Sequence, residues 1–166
     1  MHYANINLGY NVQIDPTSSV NNIKIGDNVK IAKRVSAYGS SENLLEIGTG
    51  SYIGMNSILN GFAAKMVIGN YVSIAQNVNI MADSGPNASQ IMQRVFPVKC
   101  GPVIIGDHVW IGASVIIMPN VRIGNFCVVG AGSFVNQSFP DYSIIGGTPA
   151  KVIRKLSDEE IYKISL

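Results

Sequence analysis

Aliphatic residues recur at every sixth position over most of the chain. From Ile105 the sequence reads IGDHVW, IGASVI, IMPNVR, IGNFCV, VGAGSF and V, with an aliphatic residue at 105, 111, 117, 123, 129 and 135. The same spacing links Leu8, Ile14 and Val20, then Ile25 and Ile31, then Ile47, Ile53 and Leu59, then Ile68, Ile74 and Ile80. The next position is usually Gly or Ala, as at Gly26, Ala32, Gly54, Ala75, Gly112 and Gly130, which suits a tight corner. Two residues further stand Asn28, Asn56, Asn77, His108 and Asn120, and Asn adopts the left-handed conformation more readily than most residues. Four after the aliphatic residue lie Val29, Val35, Val72, Val78, Val109, Val115, Val121 and Cys127, with Ser51, Ser57 and Ser133 in the same slot. A period of six is neither the 3.6 of a helix nor plain alternation, and it predicts short strands joined by corners. Three such sides make a triangular coil of about 18 residues whose aliphatic side chains stack along the axis. The predicted architecture is an all-β solenoid of parallel strands.

The repeat organises the chain as a single domain: coils over 8–80, an inserted loop over 81–104, coils over 105–136, and a tail over 137–166. The inserted stretch MADSGPNASQIMQRVFPVKCGPV has no six-residue period, and a loop thrust out of a rigid scaffold is where binding and catalytic groups tend to sit. Shorter interruptions at Ala37 to Glu46 and Gly61 to Val67 read as corner extrusions. In the tail, Ser157 followed by Glu160 is a capping-box pattern, so a short helix is predicted there, with Leu156 and Ile161 lying over the last coil.

Composition narrows the function classes. Charged residues are 13% of the chain, about half the average of roughly 25%, and 12 basic residues nearly balance 10 acidic ones. That balance argues against a disordered or nucleic-acid-binding protein. The longest uncharged stretches are studded with Gly, Asn and Ser, unlike the roughly 20 apolar residues of a spanning helix. No secretory signal is legible at the start, and a cytoplasmic location is expected. Cys100 and Cys127 lack a metal-type spacing and read as free thiols.

From Ile105 to Lys155 the sequence VIIGDHVWIGASVIIMPNVRIGNFCVVGAGSFV and IIGGTPAKVIRK resembles the hexapeptide-repeat acyltransferases, closest to the galactoside and maltose O-acetyltransferases. The resemblance implies a left-handed parallel β-helix, a homotrimer, and acetyl-CoA as co-substrate with no metal. Handedness comes from the resemblance alone, since parallel crossovers ordinarily prefer the opposite hand. It further implies an acetyl transfer to a sugar or other small polar acceptor, hydroxyl or amine. The coenzyme would lie in a groove between neighbouring prisms, near the small residue after Trp-Ile-Gly and the Ala of Gly-Ala-Gly, which are Ala113 and Ala131. By the same correspondence Asn136 borders the pantetheine arm, and Lys151 and Arg154 meet the nucleotide phosphates. Lys151, Arg154 and Lys155 form a basic cluster suited to phosphate on physical grounds too.

Trp110, the single Trp, occupies an outward slot and needs cover from the inserted loop, a partner subunit or a ligand; it joins the candidate coenzyme residues. The family's general base is a His on the inserted loop, and here that place falls at or beside Gly85. His2 is terminal and His108 occupies a repeat corner, which leaves Asp83 as the nearest titratable candidate. A carboxylate of ordinary pKa is a poor base toward a hydroxyl, whereas an amine can shed its own proton. Two expectations follow: the acceptor is an amino sugar, or the protein is a weak or inactive relative acting as a coenzyme-binding or scaffold protein. A γ-type carbonic anhydrase would need three His ligands where the chain holds two His, and repeats beginning at Leu8 leave no room for the helical region of a serine acetyltransferase.

Overall fold

Each turn of the chain makes three short strands and stacks them on those of the turn before. A computed structural model describes residues 5–166, and in it six such coils form a parallel β-helix with three flat faces. Face A stacks the strands Ile6–Leu8, Ile23–Ile25, Leu45–Ile47, Met66–Ile68, Val103–Ile105 and Val121–Ile123. Face B runs from Gln13–Ile14 through Lys30–Ile31, Tyr52–Ile53, Ser73–Ile74 and Trp110–Ile111 to Val128–Val129. Face C runs from Ser19–Asn21 through Ser36–Tyr38, Ile58–Asn60, Asn79–Met81 and Ile116–Ile117 to Phe134–Val135. Trp110 pairs with Val128 and Ile116 with Phe134, each eighteen residues on, as the period requires.

The sixfold aliphatic positions line the interior: Ile31, Ile53, Ile74, Ile111 and Val129 form one continuous buried column on face B. The valine slot fills the corners from inside, and its polar members are satisfied there. Ser51 Oγ donates to the Gly69 carbonyl at 2.9 Å and accepts the Val72 N–H at 3.0 Å. The corners carry the left-handed residues expected, with φ of 56°, 57°, 59°, 55° and 64° at Asn28, Asn56, Asn77, His108 and Asn120. Coils approach so closely there that a Cβ on Gly54 would lie 2.4 Å from the Ala75 carbonyl carbon.

The A/B corner carries an aromatic ladder. Tyr71, His108, Phe126 and Tyr142 stack face to face with ring centroids 5.1, 4.9 and 5.4 Å apart, within the range of favourable aromatic pairs. All four backbones are left-handed, which points their rings along the same corner.

The interruptions at 39–44 and 61–65 are corner extrusions between strands of faces C and A. The larger insertion leaves face C after Met81 and returns at Val103, and Ile105 still pairs with Ile68. The far end of the stack differs from expectation. Its exposed edge is covered by an antiparallel pair, Ser143–Gly147 with Ala150–Lys155, added to face B. The helix Asp158–Ile164 has the expected capping box at Ser157 and buries no residue fully, while Leu156 and Ile161 are half-buried beside the strand pair. No helix among the described residues is long and apolar enough to cross a membrane.

Candidate functional site

The insertion is a hairpin on the corner between faces C and A. Asp83–Ser84 runs antiparallel to Lys99–Cys100, with Asp83 opposite Cys100 and Ser84 opposite Lys99. Its base is closed by the Gly101 N–H on the Ala82 carbonyl at 3.0 Å. Near the tip, Ser89 caps the short helix Gln90–Gln93. Asp83 is half-buried and its Oδ1 accepts the Asn60 side-chain amide at 3.1 Å. The Asn60 side-chain Oδ1 accepts the Phe62 N–H at 3.1 Å, which fixes the amide with its NH₂ toward the carboxylate.

A side chain at Gly85 has no room in this hairpin. A Cβ there would lie 2.7 Å from Val98 Cα, so a side chain could not enter without moving the opposite strand. Two cavities flank the strand bearing Lys99. One, of about 360 Å³, is lined by Ser84, Pro86, Phe96, Lys99 and Met118 among others. The other, of about 450 Å³, is lined by Val98, Lys99, Cys100, Pro119, Asn120 and Asn136, which brings Asn136 to the hairpin side. Cys100 is exposed and Cys127 buried, and both thiols are free; burial raises the Cys127 pKa.

Ala113 and Ala131 lie on the corner between faces B and C, one coil apart. The Gly132 N–H donates to the Ala113 carbonyl at 2.8 Å, and a Cβ on Gly112 would approach the Ala131 nitrogen to 2.6 Å. The result is a bare corner bounded by backbone. Lys151, opposite Gly146 in the closing strand pair, is exposed at the same end of the molecule. Trp110 stands outward on face B three residues before Ala113, 59% exposed, so the hairpin does not cover it.

Arg154 is differently placed. Its guanidinium grips the Glu160 carboxylate at 2.7 and 2.9 Å, and Glu160 also accepts the Ser157 N–H at 2.7 Å. The Arg154 hydrogen bonds lead the causes that pull the Glu160 pKa from 4.5 to about 2. Among the basic candidates, then, Lys151 has its donors free among the described ion pairs, while Arg154 ties the C-terminal helix to the closing strands. His108 is sandwiched in the aromatic ladder on the A/B corner, away from the hairpin, and His2 lies outside the described residues.

The candidates thus fall into two groups. Asp83 and Asn136 share the C/A corner, Trp110, Ala113, Ala131 and Lys151 surround the B/C corner, and the whole of face C separates them. Ser73, not singled out in the sequence, stands outward on face B between Tyr52 and Trp110. A small hydroxyl between two aromatic neighbours is its only signal, and it emerges once the strands are in register.

A three-faced parallel β-helix with one protruding hairpin and a corner of small residues is the architecture of the hexapeptide-repeat proteins. Residues 102–137 match the family described as bacterial transferase hexapeptide (six repeats), and together with the solved relatives below, 30% identical over more than two thirds of their length, this places the chain in that family. It is 35% identical to a galactoside O-acetyltransferase of Lactococcus lactis over 82% of its own length and 65% of the relative's. It matches a putative acetyltransferase of Saccharomyces cerevisiae at 41% identity over 74% and 60%. The chain therefore spans a little under two thirds of the length of these relatives. Among solved structures, AntD, an N-acyltransferase from Bacillus cereus in complex with dTDP and 3-hydroxybutyryl-CoA, superposes with a TM-score of 0.81 at 30% identity, covering 96% of this chain and 87% of that one. A galactoside acetyltransferase in complex with coenzyme A gives 0.71 at 30% identity, over 84% and 68%. AntD has also been solved with a serine replaced, and with an aspartate ten residues further on replaced.

Proposed function

We propose that the protein is a homotrimeric acyltransferase that moves an acetyl group from acetyl-CoA to the amino group of a sugar. The observation that carries this reading is the hairpin itself, which offers a carboxylate fixed by Asn60 and sterically excludes an imidazole at Gly85. A sugar hydroxyl needs a base to remove its proton as it attacks; a neutral amine attacks without one. In the step, the amine nitrogen bonds to the thioester carbonyl carbon and the carbon–sulfur bond breaks. The proton lost by nitrogen leaves with the coenzyme thiol. Asp83 accepts a hydrogen bond from the amine and aligns its lone pair, and alignment of this kind can supply much of the rate.

The similarity to AntD supports an amine acceptor, and Ser73 and Asp83 stand the same ten residues apart as the serine and aspartate replaced in that protein. The coenzyme lies along the bare B/C corner past Ala113 and Ala131, with Lys151 toward its phosphates and Trp110 beside it; Asn136 borders the pantetheine arm. Because one chain holds its two groups on different corners, the site closes between the B/C side of one protomer and the hairpin of the next, which is the reason for a closed trimer. Arg154 reaches phosphate only by releasing Glu160. The two free thiols suit a reducing compartment such as the cytoplasm.

The experiment is calorimetric titration with acetyl-CoA, followed by continuous detection of released coenzyme thiol with amino sugars and with sugars bearing hydroxyls alone. About one coenzyme bound per chain and turnover restricted to amines is the expected outcome. Absence of binding at about millimolar coenzyme, or preference for hydroxyl acceptors, overturns the reading.

A further inference from the structure

The outward row of face B runs past Trp110 to the far end of the molecule. Trp110 pairs with Val128, Val128 with Ile144, and Ile144 with Arg154, so one residue per strand carries the row onto the closing strand pair. Strands lie about 4.8 Å apart, which sets Arg154 about 14 Å from Trp110 along the axis. Ile144 and Gly146 are two apart on one strand and face alike, and the residues opposite them, Arg154 and Lys151, face with them. The row therefore ends in two cations on one surface.

These two cations differ in what they hold. Lys151 makes no ion pair among the described residues, whereas Arg154 takes the Glu160 carboxylate in a two-point grip, Nη1 to Oε2 at 2.7 Å and Nη2 to Oε1 at 2.9 Å. Glu160 lies in the first turn of the helix Asp158–Ile164, together with Asp158 and Glu159. A basic strand bearing Lys151, Arg154 and Lys155 is thus followed directly by an acidic turn. Little else ties this helix to the prism. It buries no residue fully, and among the described residues the grip on Arg154 is its one side-chain hydrogen bond to any strand. The pair is also open to water, with 53% and 38% of the two side chains exposed, and exposed pairs contribute little to stability. An arriving anion can exchange with such a contact. A phosphate offers a guanidinium the same two-point geometry as a carboxylate, with a third oxygen and, in a monoester, nearly twice the charge.

We propose that Glu160 is a built-in stand-in for a coenzyme phosphate, and that the C-terminal helix is a latch which acetyl-CoA opens by taking Arg154 from it; the inference rests on the acetyl-CoA reading above. With the latch closed, Glu160 occupies the guanidinium, the acidic turn lies beside the phosphate end of the coenzyme track, and the coenzyme meets Lys151 alone. With the latch open, the phosphate takes the grip on Arg154. Glu160 goes on accepting the Ser157 N–H, so the helix stays capped while it leaves the strand. Coenzyme affinity is reduced in proportion to the closed fraction, and release of the helix marks an occupied site.

The test uses the full chain and two variants. Glu160→Gln removes the charge while Gln at this position still serves the capping box; Glu159→Gln removes an equal charge one residue away, where the carboxylate pairs with Lys163 and not with Arg154. Acetyl-CoA is titrated into each protein by calorimetry, and amide exchange over residues 157–165 is followed with and without it. Glu160→Gln should bind acetyl-CoA about three- to tenfold more tightly than wild type, and Glu159→Gln should match wild type. Saturating acetyl-CoA should lower amide protection over 157–165 in wild type and leave the already low protection of Glu160→Gln where it was. Equal affinity in wild type and Glu160→Gln overturns the latch, as does equal tightening in Glu159→Gln, since the effect would then be one of overall charge. Unchanged or increased protection of 157–165 in saturated wild type also overturns it. If neither wild type nor Glu160→Gln binds acetyl-CoA, the acyltransferase reading fails and the latch with it; binding without helix release overturns the latch alone.

Discussion

Two variants impaired in different parts of the proposed site should regain activity when they assemble together. Asp83→Asn keeps an oxygen for the Asn60 amide and removes the carboxylate charge on the C/A corner; Ala131→Trp fills the exposed small-residue corner between faces B and C, where the proposed site would take the coenzyme. Each lesion is remote from the other because face C lies between the two corners. In a closed ring whose sites take Asp83 from one chain and Ala131 from its neighbour, an equal random mixture leaves each half intact with probability one half. About one quarter of the sites in the mixture are then wild-type in both parts. If each site were built within one chain, every chain would carry a lesion and recovery would be zero. The assay is thiol release by the co-expressed pair, with native mass spectrometry to show that the two chains share assemblies. Mixed assemblies with no more activity than the separate variants would refute the shared site.

Three further outcomes are expected. His108→Ala removes two of the three ring stacks in the ladder and should cost about 1–3 kcal/mol, read as a lower thermal midpoint. Its kcat should match wild type, and a large fall in kcat would instead make His108 a base. Asn60→Ala frees the Asp83 carboxylate and should lower kcat about ten- to a hundredfold with KM for acetyl-CoA unchanged; an equal rise in that KM would count against a positioning role. Glu160 has its pKa held down at about 2 against an ordinary 4.5, so its pair with Arg154 stabilises the folded tail above pH 4.5. That contribution is lost as pH falls from about 4.5 to 2. Protection of the amides over residues 157–165, taken relative to the intrinsic exchange rate at each pH, should fall in that window, and Glu160→Gln should abolish the step.

The coils were legible because the interior imposes one rule on every turn. An axis lined by Ile53, Ile74 and Ile111 admits only aliphatic side chains at a fixed phase, and the left-handed corners at Asn56 and Asn77 demand tolerant residues. The hairpin was legible only as a break in that phase. Other features depend on register, which no local period records. Ser73 meets Tyr52 and Trp110 across sequence gaps of 21 and 37 residues, because insertions lengthen coils unequally. The strand pair that closes the stack was hidden in a tail whose apolar residues read as cover for the last coil. Arg154 looked free because its partner Glu160 lies six residues on, beyond a strand end and a helix cap, and was already engaged in a visible capping box. The absence of a His from the hairpin was plain in the sequence, whereas the close approach of Val98 to Gly85 appears only when the hairpin closes.

The seam at which the hairpin leaves the prism has an evolutionary meaning. Met66, Val67 and Ile68 pair with Val103, Ile104 and Ile105 as if nothing lay between them, and Gly101 bonds Ala82 across the hairpin base. Stacking of the coils therefore does not run through residues 83–100. The hairpin can change length, gain or lose an imidazole, or be replaced by graft, while the scaffold keeps its register. A lineage can rewrite this one segment without refolding the rest.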